Sequence, residues 1–175
     1  MSDNKRRIDR VLEEGFLTDL SERSLDEIRA MRLDAAEEEA ICSYERRLLH
    51  GRLAILRREV DRRAGTRTGS IIDTLPEILA DESRASRGSF PGNDPNIAFT
   101  PSRRVSKLVN DDTLARLDAL SDDELRARIK ELEEVERDVS ETRRSVLAVL
   151  DALNEEIGRR YRTGEANPND VLTGR

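Results

Sequence analysis

The chain has 175 residues, of which 39% are charged and 36% are hydrophobic, and its formal net charge is −6. Aromatic residues make up only 3% and Trp is absent. This composition argues against a thick globular core and favours long helices that meet along narrow apolar seams. The acidic balance argues against a general nucleic-acid binder, which needs a basic surface.

Cysteine content and apolar runs restrict the class of protein further. Cys42 is the only cysteine, so neither a disulfide framework nor a cysteine-based zinc site is expected. No apolar run approaches the roughly 18 residues of a membrane span, and no signal peptide opens the chain. We therefore expect a cytoplasmic protein with a single domain over residues 1–175.

The first predicted elements are a short leading helix and a long helix. The leading helix is indicated by Leu12, Phe16, Leu17 and Leu20. Ser24 and Glu27 then form a capping box, in which Ser accepts from an amide one turn on and Glu reaches back to the cap. The run after it is free of Pro, which predicts a first long helix over 24–63, about 60 Å in length at about 1.5 Å per residue.

Residues 64–112 are predicted to form a long connector, and the second half of the chain repeats the first. Within the connector, residues 71–80 (IIDTLPEILA) are expected to form a helical turn or two that docks on the helices. The following SRASRGSFPGNDPNIAFTPSRR is typical of a mobile segment. A second capping box at Ser121 and Glu124 predicts a second long helix over 121–161, and residues 162–175 are expected to be a mobile tail.

The two halves are related by an internal duplication. A shift of 97 residues aligns residues 17–63 with 114–160 without a gap, and 17 of the 47 positions are identical. An antiparallel pairing in which partner numbers sum to about 182 sets Glu39 level with Arg143 and Arg46 level with Glu136. We predict an all-α fold: a long antiparallel coiled-coil hairpin, with a pseudo-two-fold axis near residues 42 and 140, short accessory helices and a mobile connector.

Heptad spacing predicts the seam of this hairpin, because steps of four and three residues allow knobs-into-holes packing. On the second helix the predicted seam is Leu125, Ile129, Leu132, Glu136, Val139, Arg143, Val146, Leu150, Leu153 and Ile157. On the first helix it is Leu25, Ile28, Arg32, Ala35, Glu39, Cys42, Arg46, Leu49, Leu53, Leu56 and Val60. Glu and Arg interrupt both seams at equivalent points.

The interrupting residues belong to a repeated polar pattern: Glu, Ser four residues on, Arg three further, and two more positions at steps of four. At about 100° per residue these positions form one narrow stripe on each helix. In the first copy they are Glu39, Ser43, Arg46, His50 and Ala54, and in the second they are Glu136, Ser140, Arg143, Leu147 and Asp151.

Two interpretations of this stripe remain open from the residues alone. Cross-helix Glu–Arg pairs could simply fix the register of the coiled coil. Alternatively, the stripe could bind a guanine nucleotide, because a carboxylate accepts from the base N1–H and exocyclic amine while Arg donates to O6, N7 or phosphate. Two stripes about a pseudo-dyad would suit a ligand with two-fold symmetry.

The pattern E-x3-S-x2-R-x3-Q-x3-D resembles the signature of the RsiG-type anti-sigma factors of actinobacteria. The likeness extends to the segments VLEEGFL, SYERRLLHGRLAILRREV, TLPEILAD and DALSDDEL. It implies a protein that holds cyclic di-GMP on two long helices and, when loaded, sequesters a WhiG-like sigma factor and represses transcription. The implied binding residues are Glu39, Ser43, Arg46, His50, Glu136, Ser140, Arg143 and Asp151; His50 and Leu147 replace Gln, and Ala54 replaces Asp.

Two other functional classes are alternatives to this one. The first is a nucleotide-independent coiled-coil scaffold that binds protein partners through its charged faces. The second, an enzyme, is not expected, because the chain has one His, no Walker-type Gly-rich loop, no H-E-x-x-H motif and no plausible triad. No metal site is expected either.

Overall fold

The computed structural model describes residues 6–66 and 101–166, and in these ranges the secondary structure is helical, without strands. The elements are α1 (Arg7–Val11), α2 (Leu25–Arg63), α3 (Arg103–Val109) and α4 (Asp122–Thr163), with 3-10 turns at Leu20–Glu22 and Leu117–Ala119. The chain is all-α, as predicted. The proposed docking turns at 71–80, most of the connector and residues 167–175 of the tail lie outside the described residues.

The two long helices begin at the predicted capping boxes. At the start of α2, the Ser24 amide and hydroxyl both donate to Glu27 at 2.7 Å, and the Glu27 amide donates to Ser24 Oγ at 3.2 Å. At the start of α4, Ser121 and Glu124 make the same three hydrogen bonds, at 2.7, 2.7 and 3.3 Å. Each box satisfies amides that a helix leaves without intrahelical partners. The helices that follow have 39 and 42 residues.

The chain divides into two compact units, and each long helix contributes one segment to each unit. Unit 1 comprises residues 1–39 and 142–175, and unit 2 comprises residues 40–141. In unit 2 the helices run antiparallel, since Arg46 pairs with Glu136 and Arg63 with Asp122. In unit 1 they are also antiparallel: Arg29 donates to Tyr161 Oη and Arg143 pairs with Glu39.

The buried stripe of each long helix differs from the predicted seam. One apolar column repeats every seven residues and is buried: Ile28, Ala35, Cys42, Leu49 and Leu56 on α2, and Leu125, Leu132, Val139, Val146 and Leu153 on α4. The second buried column lies three residues after the first, as Val135 and Val149 show. The predicted seam used the position four residues after the first. This prediction is confirmed in part, because Leu53 is buried and Ile129 and Leu150 pack against the cores. The charged members of that column, Glu39, Arg46, Glu136 and Arg143, are half-buried.

This difference arises because accessory segments cover one flank of the long helices. At about 100° per residue, a step of three falls at about −60° from the first column and a step of four at about +40°. Accessory segments pack over the −60° flank in each unit. That flank is therefore the more buried one, and periodicity alone does not distinguish the two.

The accessory segments also differ from the prediction. The leading helix predicted from Leu12 to Leu20 is not formed, because α1 ends at Val11 and a 3-10 turn begins at Leu20. In unit 1, Val11 is buried among residues that include Ile28 and Val146. The connector contains a helix that was not predicted, α3, whose Val105 and Leu108 are buried in the core of unit 2.

The duplication extends to these accessory segments. The two 3-10 turns begin 97 residues apart, as do α2 and α4. In unit 1, Arg160 of α4 donates to the Leu20 carbonyl at 2.6 Å. In unit 2, the equivalent Arg63 of α2 donates to the Leu117 carbonyl at 2.9 Å. Each long helix thus holds the segment that leads into the other.

Candidate functional site

The polar stripe is defined here as Glu39, Ser43, Arg46 and His50 on α2 with Glu136, Ser140, Arg143 and Asp151 on α4. All of these residues are half-buried except Asp151, which is exposed. They occupy the +40° flank of the buried columns or the adjoining solvent face. The stripe is therefore accessible to a small molecule from solvent while it remains ordered by the helices.

In unit 2, four stripe residues form the Glu136 cluster, with Arg46 and His50 from α2 and Glu136 and Ser140 from α4. Ser140 Oγ donates to Glu136 Oε1 at 2.6 Å, His50 Nε2 lies 2.9 Å from the same oxygen, and Arg46 Nε lies 3.4 Å from it. The exposed fractions of the Glu136, Arg46 and His50 side chains are 22%, 32% and 41%. The cluster is a carboxylate held by three donors at the edge of the helix pair.

These donors determine the ionisation of Glu136. Burial alone would raise its pKa, but the hydrogen bonds from Ser140, His50 and Arg46 outweigh burial and lower the pKa below its ordinary value. Glu136 is therefore a carboxylate at neutral pH. It can accept hydrogen bonds from a ligand but does not act as a proton donor there.

In unit 1 the stripe forms an equivalent pair. Arg143 Nε donates to Glu39 Oε1 at 2.8 Å, and the exposed fractions of the two side chains are 31% and 20%. Asp151, two turns after Arg143 on α4, is exposed and makes no hydrogen bond or ion pair with residues in the described ranges. The structure thus brings Glu39 and Arg143 together and leaves Asp151 apart from them.

The two cross-helix pairings predicted from the register, Glu39 with Arg143 and Arg46 with Glu136, are confirmed. Pairs with this degree of exposure contribute about 0.2–1 kcal/mol. The Glu and Arg of each pair already satisfy one another. A ligand that uses them must therefore exchange its own hydrogen bonds for these.

The comparison with known protein families is decisive for the class of protein. A family model described as RsiG-like matches residues 14–79 and 111–174. The chain belongs to the RsiG-like family. All eight stripe residues lie inside the two matched segments. No curated protein matches the chain.

Membership gives this RsiG-like chain a general role as an anti-sigma factor, with a sigma factor as its partner. The family is regulatory. Among the described residues, no helix is both long enough and apolar enough to cross a membrane.

Sequence reasoning missed a column of buried charges on α2 of this RsiG-like chain. Its members recur every seven residues on the −60° flank, at Glu38, Glu45, Arg52 and Glu59. A repeat of seven in charged residues was visible in the sequence. Its meaning was not, because the partners of Glu38, Glu45 and Arg52 lie on segments that carry no strong pattern of their own.

Three of the four buried charges bind accessory segments, and the fourth, Glu59, binds Arg62 and Arg63 of its own helix. In unit 1, Glu38 accepts from Arg7 of α1 at 2.6 Å. In unit 2, Glu45 accepts from the Ser102 amide, and Arg52 donates to the carbonyls of Val109 and Asp111. Within each unit, the buried charges fasten accessory segments to one flank, and the stripe occupies the flank that these segments leave uncovered.

Proposed function

We propose that this RsiG-like chain binds cyclic di-GMP through the polar stripe and, when loaded, sequesters a WhiG-like sigma factor. The observation that carries the proposal is the pair of equivalent, half-exposed Glu–Arg contacts, one in each unit. Buried register-fixing pairs would not need to be accessible to solvent. A ligand site needs charged groups that are both positioned and accessible.

The chemistry of the pairs suits a guanine nucleotide. A carboxylate accepts from the guanine N1–H and exocyclic amine, while a guanidinium donates to O6, N7 or a phosphate oxygen. Each Glu–Arg pair therefore offers both the acceptor and the donors that a guanylate requires. A cyclic dinucleotide is made of two such guanylates, and each unit has its own Glu–Arg pair with the matching groups.

Exchange of the existing contacts for ligand contacts has a small cost. Half-exposed ion pairs contribute only about 0.2–1 kcal/mol, whereas hydrogen bonds to charged groups in a water-excluded site contribute more. The ligand also carries negative phosphates toward a protein of net charge −6. The arginines of the stripe supply the local positive charge that this approach needs.

The departures from the family-like pattern make the two units chemically different. In unit 2, Ala54 occupies the position of the final Asp, so this position carries no carboxylate. In unit 1, Leu147 occupies the position equivalent to His50 and offers no polar group. We expect the nucleotide contacts in the two units to differ in strength for this reason.

Repression follows if the loaded chain has the higher affinity for the sigma factor. A ligand shifts partner affinity only by its differential interaction with the free and bound states. Nucleotide lying on the uncovered flank would add its own surface to the interface and would mask the charges of the stripe. The sigma factor would then dock on protein and ligand together.

Isothermal calorimetry with cyclic di-GMP tests the nucleotide site. We expect Arg143→Ala and Asp151→Ala to lose binding, with helical content by circular dichroism unchanged. Arg144→Ala is the matched control, because Arg144 is the next residue on α4, is exposed and lies off the stripe. Undiminished binding by both Arg143→Ala and Asp151→Ala would exclude this site.

A nucleotide-independent scaffold is the second candidate, and one observation favours it: the Glu and Arg of each pair bind one another directly across the two helices. In that case the pairs would serve register alone. The wild-type chain would give no heat with cyclic di-GMP, and its capture of a sigma factor would not depend on the nucleotide.

A further inference from the structure

A further ion pair joins the two long helices of unit 2 beside the Glu136 cluster. Arg57 Nη2 of α2 donates to Glu133 Oε1 of α4 at 2.6 Å, and the exposed fractions of the two side chains are 57% and 40%. Glu133 precedes Glu136 by three residues, so the two carboxylates are neighbours on the surface of α4. The polar surface of unit 2 therefore extends beyond the residues of the repeated pattern.

This pair lies next to the position at which unit 2 lacks a carboxylate. Ala54 follows His50 by four residues and precedes Arg57 by three, so the three residues are neighbours along one edge of α2. His50 and Arg57 each contact a carboxylate of α4, and the one that Arg57 binds is Glu133. A carboxylate from the opposite helix is thus held within about one turn of Ala54.

The equivalent positions in unit 1 have the opposite arrangement. A shift of 97 residues places Ala36 and Asn154 at the positions of Glu133 and Arg57, and neither of these side chains is charged. Unit 1 instead has Asp151, the final carboxylate of the pattern, which unit 2 lacks. The unit that keeps the final Asp lacks the additional pair, and the unit that has lost this Asp has the pair.

Glu133 and Asp151 also leave α4 at the same angle. They are 18 positions apart on this continuous helix, which is about five turns at about 3.6 residues per turn. The last position of the pattern therefore places a carboxylate on the same edge of α4 that carries Glu133. Asp151 supplies this carboxylate in unit 1, and Glu133 supplies one in unit 2.

The contact with Arg57 leaves Glu133 able to accept from a ligand. Arg57 binds Oε1, and Oε2 accepts no hydrogen bond from the described residues. A carboxylate accepts through both of its oxygens, so a guanine N–H donor can bind Oε2 while Arg57 stays in place. No existing contact has to break.

We propose that Glu133 is a nucleotide-binding residue of unit 2, where its carboxylate accepts from guanine in place of the Asp that Ala54 replaces. This inference rests on the proposed function, since it concerns the same ligand. Loss of an acidic group should by itself favour the approach of an anionic dinucleotide. A weaker affinity after removal of the Glu133 charge would therefore have the opposite sign to a general charge effect.

Calorimetric titration of the full chain with cyclic di-GMP tests the assignment. We expect Glu133→Gln to weaken binding by about 10- to 100-fold, which corresponds to one charge-assisted hydrogen bond, because Gln has a single acceptor oxygen and Arg57 occupies it. Glu134→Gln is the matched control: Glu134 is the next residue on α4 and is exposed, and we expect its loss to leave affinity unchanged or slightly higher.

A rescue variant tests whether Glu133 replaces the missing Asp. When Glu133→Gln is combined with Ala54→Asp, the carboxylate returns at the last position of the pattern and the net charge equals that of wild type. We expect this double variant to recover most of the lost affinity. Circular dichroism should show the same helical content in all the variants.

The inference would be overturned by wild-type affinity in Glu133→Gln, by an equal loss in Glu134→Gln, or by a double variant that binds no better than Glu133→Gln. In each of these cases wild type still gives binding heat, so the proposed function stands. No binding heat from wild type would refute the proposed function and, with it, this inference. The heat of the wild-type titration therefore distinguishes the two failures.

Discussion

Glu59 and Glu156 occupy equivalent positions in the two copies, and each binds two arginines on the next turn of its own helix. Glu59 accepts from Arg62 at 2.7 Å and from Arg63 at 2.6 Å. Hydrogen bonds from Arg62 and then Arg63 lower the pKa of Glu59 to about 2, against the opposing effect of burial. Hydrogen bonds from Arg159 and then Arg160 likewise lower the pKa of Glu156 to about 2.

These lowered pKa values predict an acid-sensitive contribution to stability. The contribution is fully present above the ordinary carboxyl value of 4.5 and is lost as the pH falls toward about 2. We expect Glu59→Gln to lower the free energy of unfolding by about 1–3 kcal/mol near neutral pH, because Arg63 loses the partner that positions it on Leu117. Urea unfolding near pH 7 and near pH 3 should show the deficit shrinking in acid.

The control for this substitution is Glu155→Gln. Glu155 is exposed and neighbours Glu156 on α4, so it tests the loss of a carboxylate without the loss of the arginine contacts. We expect its stability to match that of wild type at both pH values. A Glu59→Gln deficit that stayed constant from neutral pH to acid would contradict the assignment.

At the same scale, sequence alone could predict the two Glu–Arg pairs of the stripe but not the further contacts of the same side chains. The pairing of Glu39 with Arg143 and of Arg46 with Glu136 follows from helix register, which heptads and capping boxes determine. The convergence of Ser140 and His50 on one oxygen of Glu136 depends on side-chain rotamers, which spacing does not encode. Asp151 shares the stripe in sequence and lies apart from the pairs in the structure.

Among the elements, α3 is the one whose existence depends most on tertiary contacts. Seven residues are too few for a stable isolated helix. Glu45 meets its first turn and Arg52 its last carbonyls, an arrangement that complements the helix dipole. The two charges are seven residues apart on α2, about 10 Å at about 1.5 Å per residue, which matches the length of α3.

We therefore expect Arg52→Gln to loosen α3 without unfolding α2 or α4. A lost charge-assisted hydrogen bond of about 1.5–3 kcal/mol should speed amide exchange in residues 106–110 by roughly 10- to 100-fold, as hydrogen exchange with mass spectrometry can measure. Arg57→Gln is the matched control, because Arg57 is an exposed arginine of the same helix whose pair with Glu133 does not involve α3. Unchanged exchange in Arg52→Gln would show that apolar contacts alone hold α3.

The elements that sequence predicted are those with their own signals. The capping boxes at Ser24 and Ser121 identified the starts of both long helices, because the box is a local motif. The α3 segment, RRVSKLV, has two buried apolar residues and is too short to show a helical periodicity. Accessory segments bury a second flank of each long helix, three residues after the first column, which periodicity did not indicate, while several apolar residues of the predicted column also pack against the cores.

For the molecule as a whole, the all-α fold follows from composition and periodicity, and the structure shows the duplication in the contacts as well as in the sequence. Equivalent contacts recur in both units: the capping boxes, the Glu–Arg–Arg clusters, the arginines on the leading segments and the stripe pairs. The units differ where the stripe differs, at His50 against Leu147 and at Ala54 against Asp151. At this scale the proposed function depends on nucleotide binding by the polar stripe.

Nucleotide-dependent capture of the sigma factor tests that claim most directly. Immobilised full-length chain is exposed to a WhiG-like sigma factor with cyclic di-GMP, with cyclic di-AMP as a control nucleotide, and with neither. We predict capture only with cyclic di-GMP, and its loss when Arg46→Ala and Arg143→Ala are combined. Equal capture in all three conditions, or cyclic di-GMP-dependent capture that survives both substitutions, would contradict the account.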